Sequence, residues 1–163
     1  MLRSIELRAL AASPTRSVSV VIDEPIAALP SLTPVQGELA VAHRGDFLEV
    51  AGHAQTIVTL ACDRCLQQFN HRLATNFEEV IWLEDAPVEV PLELEVPPAH
   101  LDELLPRDGR LDPVYLIYQH LCLELPVRNL CSEQCQGVQT TQPQEPSLDR
   151  RWSALARLRE ELG

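Results

Sequence analysis

The sequence predicts an α+β fold: a small antiparallel β-meander or partly open barrel, with one helix packed on the sheet and a second helix at the C-terminus. Apolar and polar residues alternate through the first half, a capped amphipathic segment follows at residues 112–125, and a Gln- and Pro-containing stretch separates it from an arginine-rich end. A chain of 163 residues with 45% hydrophobic content can bury one core. We expect a β-rich domain over residues 1–135 that includes the packed helix 113–125, a linker over 136–146 and a C-terminal helix over 147–163.

The first seventeen residues permit two interpretations. Their Arg, Ser and Ala content is typical of an organelle transit peptide. A short strand is the interpretation we favour, on the apolar residues Leu2, Ile5, Leu7 and Leu10 around Glu6. No stretch approaches the roughly 18 uninterrupted apolar residues of a membrane span, so we expect a soluble protein.

Strands are predicted wherever apolar and β-branched residues alternate with polar ones. The segments are Ser17–Ile22, Val35–Ala42, Phe47–Gly52, Ala54–Leu60 and an extended run through Phe69, Leu73, Phe77, Val80 and Trp82. Pro25 ends the first strand because proline lacks a ladder donor, and the turn-rich residues 43–46 predict a hairpin.

Helix signals follow later in the chain. Asp112 and Pro113 are an N-cap and a first-turn proline, and Pro126 ends the helix. The apolar residues at helical spacing are Val114, Ile117, Tyr118, Leu121 and Leu125. Ser147 caps the second helix, whose apolar side carries Leu148, Trp152, Leu155 and Leu162.

Acidic residues are concentrated in one region. The chain has a net charge of -11, and residues 78–112 hold eleven acids against Arg107 and Arg110. Four prolines within residues 84–98 confine that part to an edge strand or loop. Such an acidic belt is usually a solvated loop face; it disfavours broad binding to phosphate backbones and suits a basic protein partner.

Four of the five cysteines form two close pairs, Cys62-x-x-Cys65 and Cys131-x-x-x-Cys135. Two such knuckles brought together give the four-sulfur shell of structural zinc, although the 65 intervening residues exceed the usual separation. Free thiols in a reducing compartment are the main alternative. Disulfides are disfavoured by the odd count, and redox catalysis at Cys62 and Cys65 by the absence of a βαβ context. Cys122 is expected to pack in the core.

Two groups of residues are candidates for partner or RNA contact. Arg64 and Arg72, with Arg44, could lie near Phe69 and His71 and touch RNA, the alternative being a solvated sheet face. Arg150, Arg151 and Trp152 could make the C-terminal helix a docking helix for RNA or protein, the alternative being ordinary packing of Trp152. The scattered histidines and unclustered glycines carry no hydrolase or nucleotide-binding signature.

Four short sequence motifs, taken in their order along the chain, resemble the YceD-like family over nearly the whole chain. They are LACDRCL at residues 60–66, LELPV at 123–127, CSEQCQG at 131–137 and DRRW at 149–152. The resemblance implies a non-enzymatic role in accumulation or processing of large-subunit (23S) ribosomal RNA, through RNA or a ribosomal protein, in the bacterial cytoplasm or a plastid. We expect no membrane partner and no small-molecule substrate.

The chain departs from that family's pattern after Cys135. Many relatives have Lys-Gly-Leu-Cys there, whereas this chain has Gln136-Gly137-Val138-Gln139. The departure removes a cysteine and a basic residue, and it leaves Cys62, Cys65, Cys131 and Cys135 as the possible zinc ligands. The alternative function is a thiol-dependent redox or RNA-modifying enzyme centred on Cys62 and Cys65; a further one is a metal-free interaction scaffold.

Overall fold

The computed structural model describes residues 4–84 and 104–138. In chain order its elements are β1 (Ile5–Glu6), α1 (Leu7–Ala12), β2 (Ser17–Glu24), β3 (Val35–His43), β4 (Phe47–Ala61), β5 (Gln68–Glu84), β6 (Leu104–Pro106), β7 (Arg110–Leu111) and α2 (Pro113–Leu123). The predicted C-terminal helix, the linker from residue 139 onward and the Pro-rich acidic residues 85–98 lie outside the described residues.

A five-stranded sheet in the order β2-β3-β4-β5-β6 forms the body of the molecule. Neighbours from β2 to β5 are antiparallel, which confirms the predicted meander, and β6 adds in parallel to β5. The long β4 and β5 pair over their whole length, from Phe47 opposite Trp82 to Ala61 opposite Gln68. A separate two-stranded sheet joins β1 to β7.

Strand β4 runs without a break through Gly52, where the sequence predicted two separate strands. Every second residue from Leu48 to Val58 is buried, so the period-2 pattern continues through the glycine. Gly52 itself lies under the ring of Phe77, and a Cβ built there would come within 2.6 Å of that ring. The glycine therefore makes room for an aromatic side chain on the neighbouring strand.

Helix α2 begins at the predicted cap. The Asp112 carboxylate accepts hydrogen bonds from the backbone N–H groups of Val114 (3.0 Å) and Tyr115 (3.1 Å). The helix ends at Leu123, two residues before the predicted end, and packs against β4 and β5 as predicted. Its buried residues are Pro113, Leu116, Ile117 and Leu121.

The N-terminal region differs from the expected strand. Only Ile5 and Glu6 are extended, and Leu7–Ala12 form helix α1. Leu7 and Leu10 are three residues apart and both buried, which is one helical turn facing the core. The strand prediction is therefore wrong beyond Glu6.

The two faces of the sheet differ in what covers them. One face packs against α1, α2 and the β2–β3 loop, whose Ile26 and Leu29 are buried. The fully buried residues of this covered face include Ile22, Leu39, Leu48, Leu73 and Ile81. The opposite face, called the open face below, carries the alternate residues of β2–β5, which are mostly exposed among the described residues.

None of the helices within residues 4–84 and 104–138 is long and apolar enough to cross a membrane.

Candidate metal centre

The turn between β4 and β5 forms the first cysteine knuckle. The backbone N–H of Cys62 donates to the Gln67 carbonyl (2.9 Å), and the N–H of Leu66 donates back to the Cys62 carbonyl (2.9 Å). Leu66 completes the turn with a φ of 61°, a conformation that few non-glycine residues adopt. The turn buries Cys62 completely and leaves Cys65 half-buried.

The loop after helix α2 forms the second knuckle. A backbone hydrogen bond from Cys135 N–H to the Ser132 carbonyl (3.1 Å) closes a tight turn around Cys131 and Cys135. Gly137 follows with a φ of 81°, so it reverses the chain in a conformation that favours glycine.

The fold brings all four predicted sulfurs together. Cys62 Sγ lies 3.9 Å from Cys135 Sγ, Cys65 Sγ lies 3.7 Å from Cys131 Sγ, and the four ligand atoms all lie within 4.8 Å of one another. Four sulfurs around zinc at about 2.3 Å would stand about 3.8 Å apart. The separations therefore fit a single four-thiolate zinc site, made of one cysteine pair from each knuckle.

The two residues between Cys62 and Cys65 join the knuckles. Asp63 N–H donates to the Asn129 carbonyl (2.8 Å), and Asn129 N–H donates to the Asp63 carboxylate (2.7 Å). Arg64 Nη1 donates to the carbonyls of Glu133 (3.3 Å) and Cys135 (3.1 Å). These contacts connect the second knuckle to the first independently of the sulfurs.

The thiols have unequal acidities. Backbone N–H groups pointing at its sulfur, that of Cys131 (3.4 Å) first, outweigh burial and lower the pKa of Cys62 to about 6. The sulfurs of Cys135, Cys62 and Cys65 raise the pKa of Cys131 to about 12. At Cys65 the Gln67 N–H lowers the pKa, but burial and the neighbouring thiols outweigh it and raise the value overall.

These shifts bear on what the centre can hold. One thiolate is stabilised by backbone dipoles, and each further thiolate is opposed by its neighbours. A bound divalent cation offsets that repulsion and deprotonates coordinating thiols. The donor set of four sulfurs at these separations suits zinc better than magnesium or calcium, which take oxygen ligands.

The sulfur separations also bear on the alternative interpretations of the cysteines. A disulfide needs about 2.05 Å between sulfurs, and all five cysteines are free thiols here. The Cys62 sulfur is buried beneath the second knuckle, so its low pKa suits a ligand better than an exposed nucleophile. Cys122 is partly buried on α2 and stands apart from the cluster of four.

The candidate arginines occupy separate places. Arg64 is engaged with backbone carbonyls of the second knuckle, and Arg72 lies on the open face beside Gln55. Phe69 and His71 stand on the other side of β5 from Arg72, because their positions differ by an odd number. Arg44 lies in the β3–β4 turn, at the opposite end of β4 from Arg64. The structure does not bring these side chains into one cluster.

Arg150, Arg151 and Trp152 lie outside the described residues, so their predicted partner contact stays a prediction.

A comparison with family models matches residues 50–159 to the family described as large ribosomal RNA subunit accumulation protein YceD. The chain belongs to the YceD family. The match spans both cysteine knuckles, most of β4, and the whole of β5 and α2, and it supports a role in ribosome biogenesis. Neither the curated proteins nor the solved structures contain a significant match to the chain.

Sequence reasoning missed the residues that join the knuckles in this YceD family member. Asp63 and Asn129 exchange two hydrogen bonds although 66 positions separate them in the chain. Their only sequence signal is the position of Asp63 inside the cysteine pair. Backbone carbonyls such as those that Arg64 contacts have no signature in a sequence.

Proposed function

We propose that this protein is a non-enzymatic ribosome-biogenesis factor that supports accumulation or processing of large-subunit ribosomal RNA by binding RNA or a ribosomal protein. The observation that carries the proposal is the family match over residues 50–159. The family's description names large-subunit ribosomal RNA, and binding is the simplest activity for a fold whose chemistry-bearing residues are four clustered thiols. The protein acts in the cytoplasm under this proposal.

The four cysteines serve that function as a structural zinc centre. Bound zinc would cross-link the β4–β5 turn to the loop after α2, in which no residue from 124 to 138 is fully buried. Cys62, Cys65, Cys131 and Cys135 supply the ligands. Asp63 and Arg64 hold the second knuckle in place through its backbone. The metal thus fixes a surface and takes no part in chemistry.

A thiol-dependent enzyme centred on Cys62 and Cys65 is the competing function. Its supporting observation is the low pKa of Cys62, about 6, which gives a thiolate at neutral pH. A Cys62→Ser, Cys65→Ser chain distinguishes the two functions. An enzyme would lose activity and keep its fold, whereas a structural centre would lose metal and stability together.

Co-purification tests the binding function. The full chain is isolated from its own cells at low and at moderate salt, and the associated RNA and proteins are identified. We expect precursor or mature large-subunit RNA, or proteins of that subunit, to be enriched over an unrelated acidic protein of similar size. The absence of every large-subunit component at both salt concentrations would contradict the proposal.

A depletion experiment tests the same function in cells. Loss of the protein should lower the ratio of large-subunit to small-subunit ribosomal RNA. Expression of the unmodified chain should restore that ratio. A ratio that does not change on depletion would contradict the role.

A further inference from the structure

The open face carries a trough with a floor of small residues. Ser17 pairs with Ala42, Ser19 pairs with Ala40, and Ala40 pairs in turn with Ala51. Small side chains therefore lie side by side across β2, β3 and β4. These floor residues are Ser17, Ser19, Ala40, Ala42 and Ala51. The cavity above the floor has a volume of about 960 Å³.

The trough has the width of a helix. Strands lie about 4.8 Å apart, so a floor of three strands spans about 10 Å between β2 and β4. An α-helix with its side chains is about 10–12 Å across. Small floor residues let such an element approach the sheet backbone closely.

Exposed apolar residues extend from the trough across β5 and β6, and of these Val80 lines the trough itself. Val80 is 46% exposed, Trp82 42% and Leu104 45%. Trp82 pairs with both Phe47 and Leu104 across the strands, and its ring lies 5.4 Å from that of Phe47. An aromatic and aliphatic cluster of this kind typically marks a contact surface for a partner.

The trough is also negatively charged. The carboxylates of Glu49 and Glu78 line it, and Arg44 offsets one of them by pairing with Glu49 (2.7 Å). The carboxylate of Glu38 lies next to the trough on β3 and accepts a hydrogen bond from the hydroxyl of Ser19. The local excess is negative, which repels phosphate backbones and attracts cationic side chains. An amphipathic helix with a basic face meets both the apolar border and the carboxylates.

We infer that the trough on the open face is the docking site for a lysine- or arginine-rich amphipathic helix of a large-subunit ribosomal protein. The inference rests on the proposed function and specifies its partner. Apolar residues of the helix lie on the alanine and serine floor against Val80 and Trp82, and its basic residues meet Glu38, Glu49 and Glu78. RNA is excluded from this face by the same carboxylates.

Site-specific photocrosslinking in the full chain tests the docking site. A benzophenone amino acid replaces Ala51 on the trough floor, or Gln119 on the exposed side of α2 as a control. The probe is the set of large-subunit ribosomal proteins extracted from salt-washed ribosomes. We expect the Ala51 chain to crosslink a basic helical segment of one such protein, mapped by mass spectrometry, and the Gln119 chain to give none.

Charge reversal tests the electrostatic part. Glu78→Arg in the Ala51-labelled chain should lower the crosslinking yield about tenfold, because it places a cation beside the basic helix. Glu124→Arg makes the same charge change on the exposed end of α2 and should leave the yield unchanged. If the Ala51 label disturbs the melt, Ala40 in the next strand gives a second position on the same floor.

Four outcomes would overturn the docking site. They are crosslinks from Ala51 to residues 139–163 of the same chain, crosslinks to added ribosomal RNA, equal yields from both label positions, and no crosslink at either floor position. If co-purification with large-subunit components persists under any of these, the docking site is wrong and the proposed function stands. If co-purification also fails, the function itself is wrong.

Discussion

The covered face of the sheet and the four-cysteine centre are both parts of one chain, yet different forces hold them together. On the covered face, Leu73, Ile117 and Leu121 are at most 1% exposed and pack with large aliphatic neighbours. At the cysteine centre only Cys62 is buried, while Cys131 and Arg64 are exposed. Its contacts are backbone hydrogen bonds and sulfur pairs.

This difference indicates which interactions each region needs in order to stay folded. A fully buried aliphatic side chain stabilises a fold by about 1.5–3 kcal/mol, so the covered face can sustain itself. Two short loops with thiols and exposed hydrogen bonds gain far less, because water competes for the same polar groups. We therefore expect the cysteine centre to depend on a cross-link, and changes to the two regions to have separable effects.

The largest expected effect is that of Cys62→Ser. It removes the one ligand that is completely buried and leaves a hydroxyl in a site shaped for sulfur. We expect loss of stoichiometric zinc and a fall of several kcal/mol in the free energy of unfolding. Structural zinc can contribute on the order of 10 kcal/mol to folding, so this fall is smaller than the largest possible loss. Metal analysis and urea unfolding measure the two losses.

Cys122→Ser is the matched control for that change. Cys122 lies on α2 apart from the four clustered sulfurs, so its substitution should leave zinc content intact. Equal zinc loss in both variants would show that zinc binding is not confined to the four clustered thiols.

Ile117→Ala perturbs the covered face instead. The side chain is fully buried on α2, and its truncation leaves a cavity under the helix. We expect a loss of about 2–5 kcal/mol in urea unfolding, with Ile117→Val costing about 0.5–1.5 kcal/mol. Zinc content should not change under native conditions. A metal-free but folded Ile117→Ala protein would contradict the independence of the two regions.

Arg64→Lys weakens the join between the knuckles while all four sulfurs remain. Both hydrogen bonds to the Glu133 and Cys135 carbonyls come from Nη1 of Arg64. The shorter and more flexible lysine side chain does not hold its ammonium nitrogen in that place. We expect zinc affinity to fall about 10–100-fold, as is typical when groups supporting a ligand are lost. Competition with a zinc indicator measures it. An unchanged affinity would mean that Arg64 has no positioning role.

Asp112→Ala gives the smallest effect. It removes the carboxylate that caps the first N–H groups of α2, which costs about 1 kcal/mol. The variant should lower the unfolding midpoint slightly and leave zinc affinity unchanged, whereas Asp112→Asn should restore most of the loss. A fall in zinc affinity would show that α2 transmits strain to the cysteine loop.

The sequence allowed most of the sheet to be predicted, and the reason lies in its alternation. In β4 the buried residues Leu48, Val50, Ala54 and Val58 recur every second position, which is a direct consequence of pleat geometry. Helix α1 was missed because Leu7 and Leu10 give a single turn, too short to show a helical period. Strands β6 and β7, of three and two residues, leave no periodic pattern at all.

The sequence predicted the cysteines of the candidate site but not the contacts that hold the two knuckles together. The spacing of Cys62 and Cys65, and of Cys131 and Cys135, identified the four thiols, because short spacing alone places two ligands near one ion. The predicted partner contact of Arg64 stays a prediction, but its guanidinium also donates to two carbonyls of the second knuckle, which the sequence did not predict. That contact joins residues 69 and 71 positions apart, which a local sequence pattern does not encode.

We propose that the four cysteines form one structural metal centre. The most direct test is the metal content of the chain, purified without a metal-binding tag, followed by thermal melts with and without a chelator. We expect about one zinc per chain and a melting temperature that the chelator lowers. No bound zinc together with an unchanged melt would contradict it.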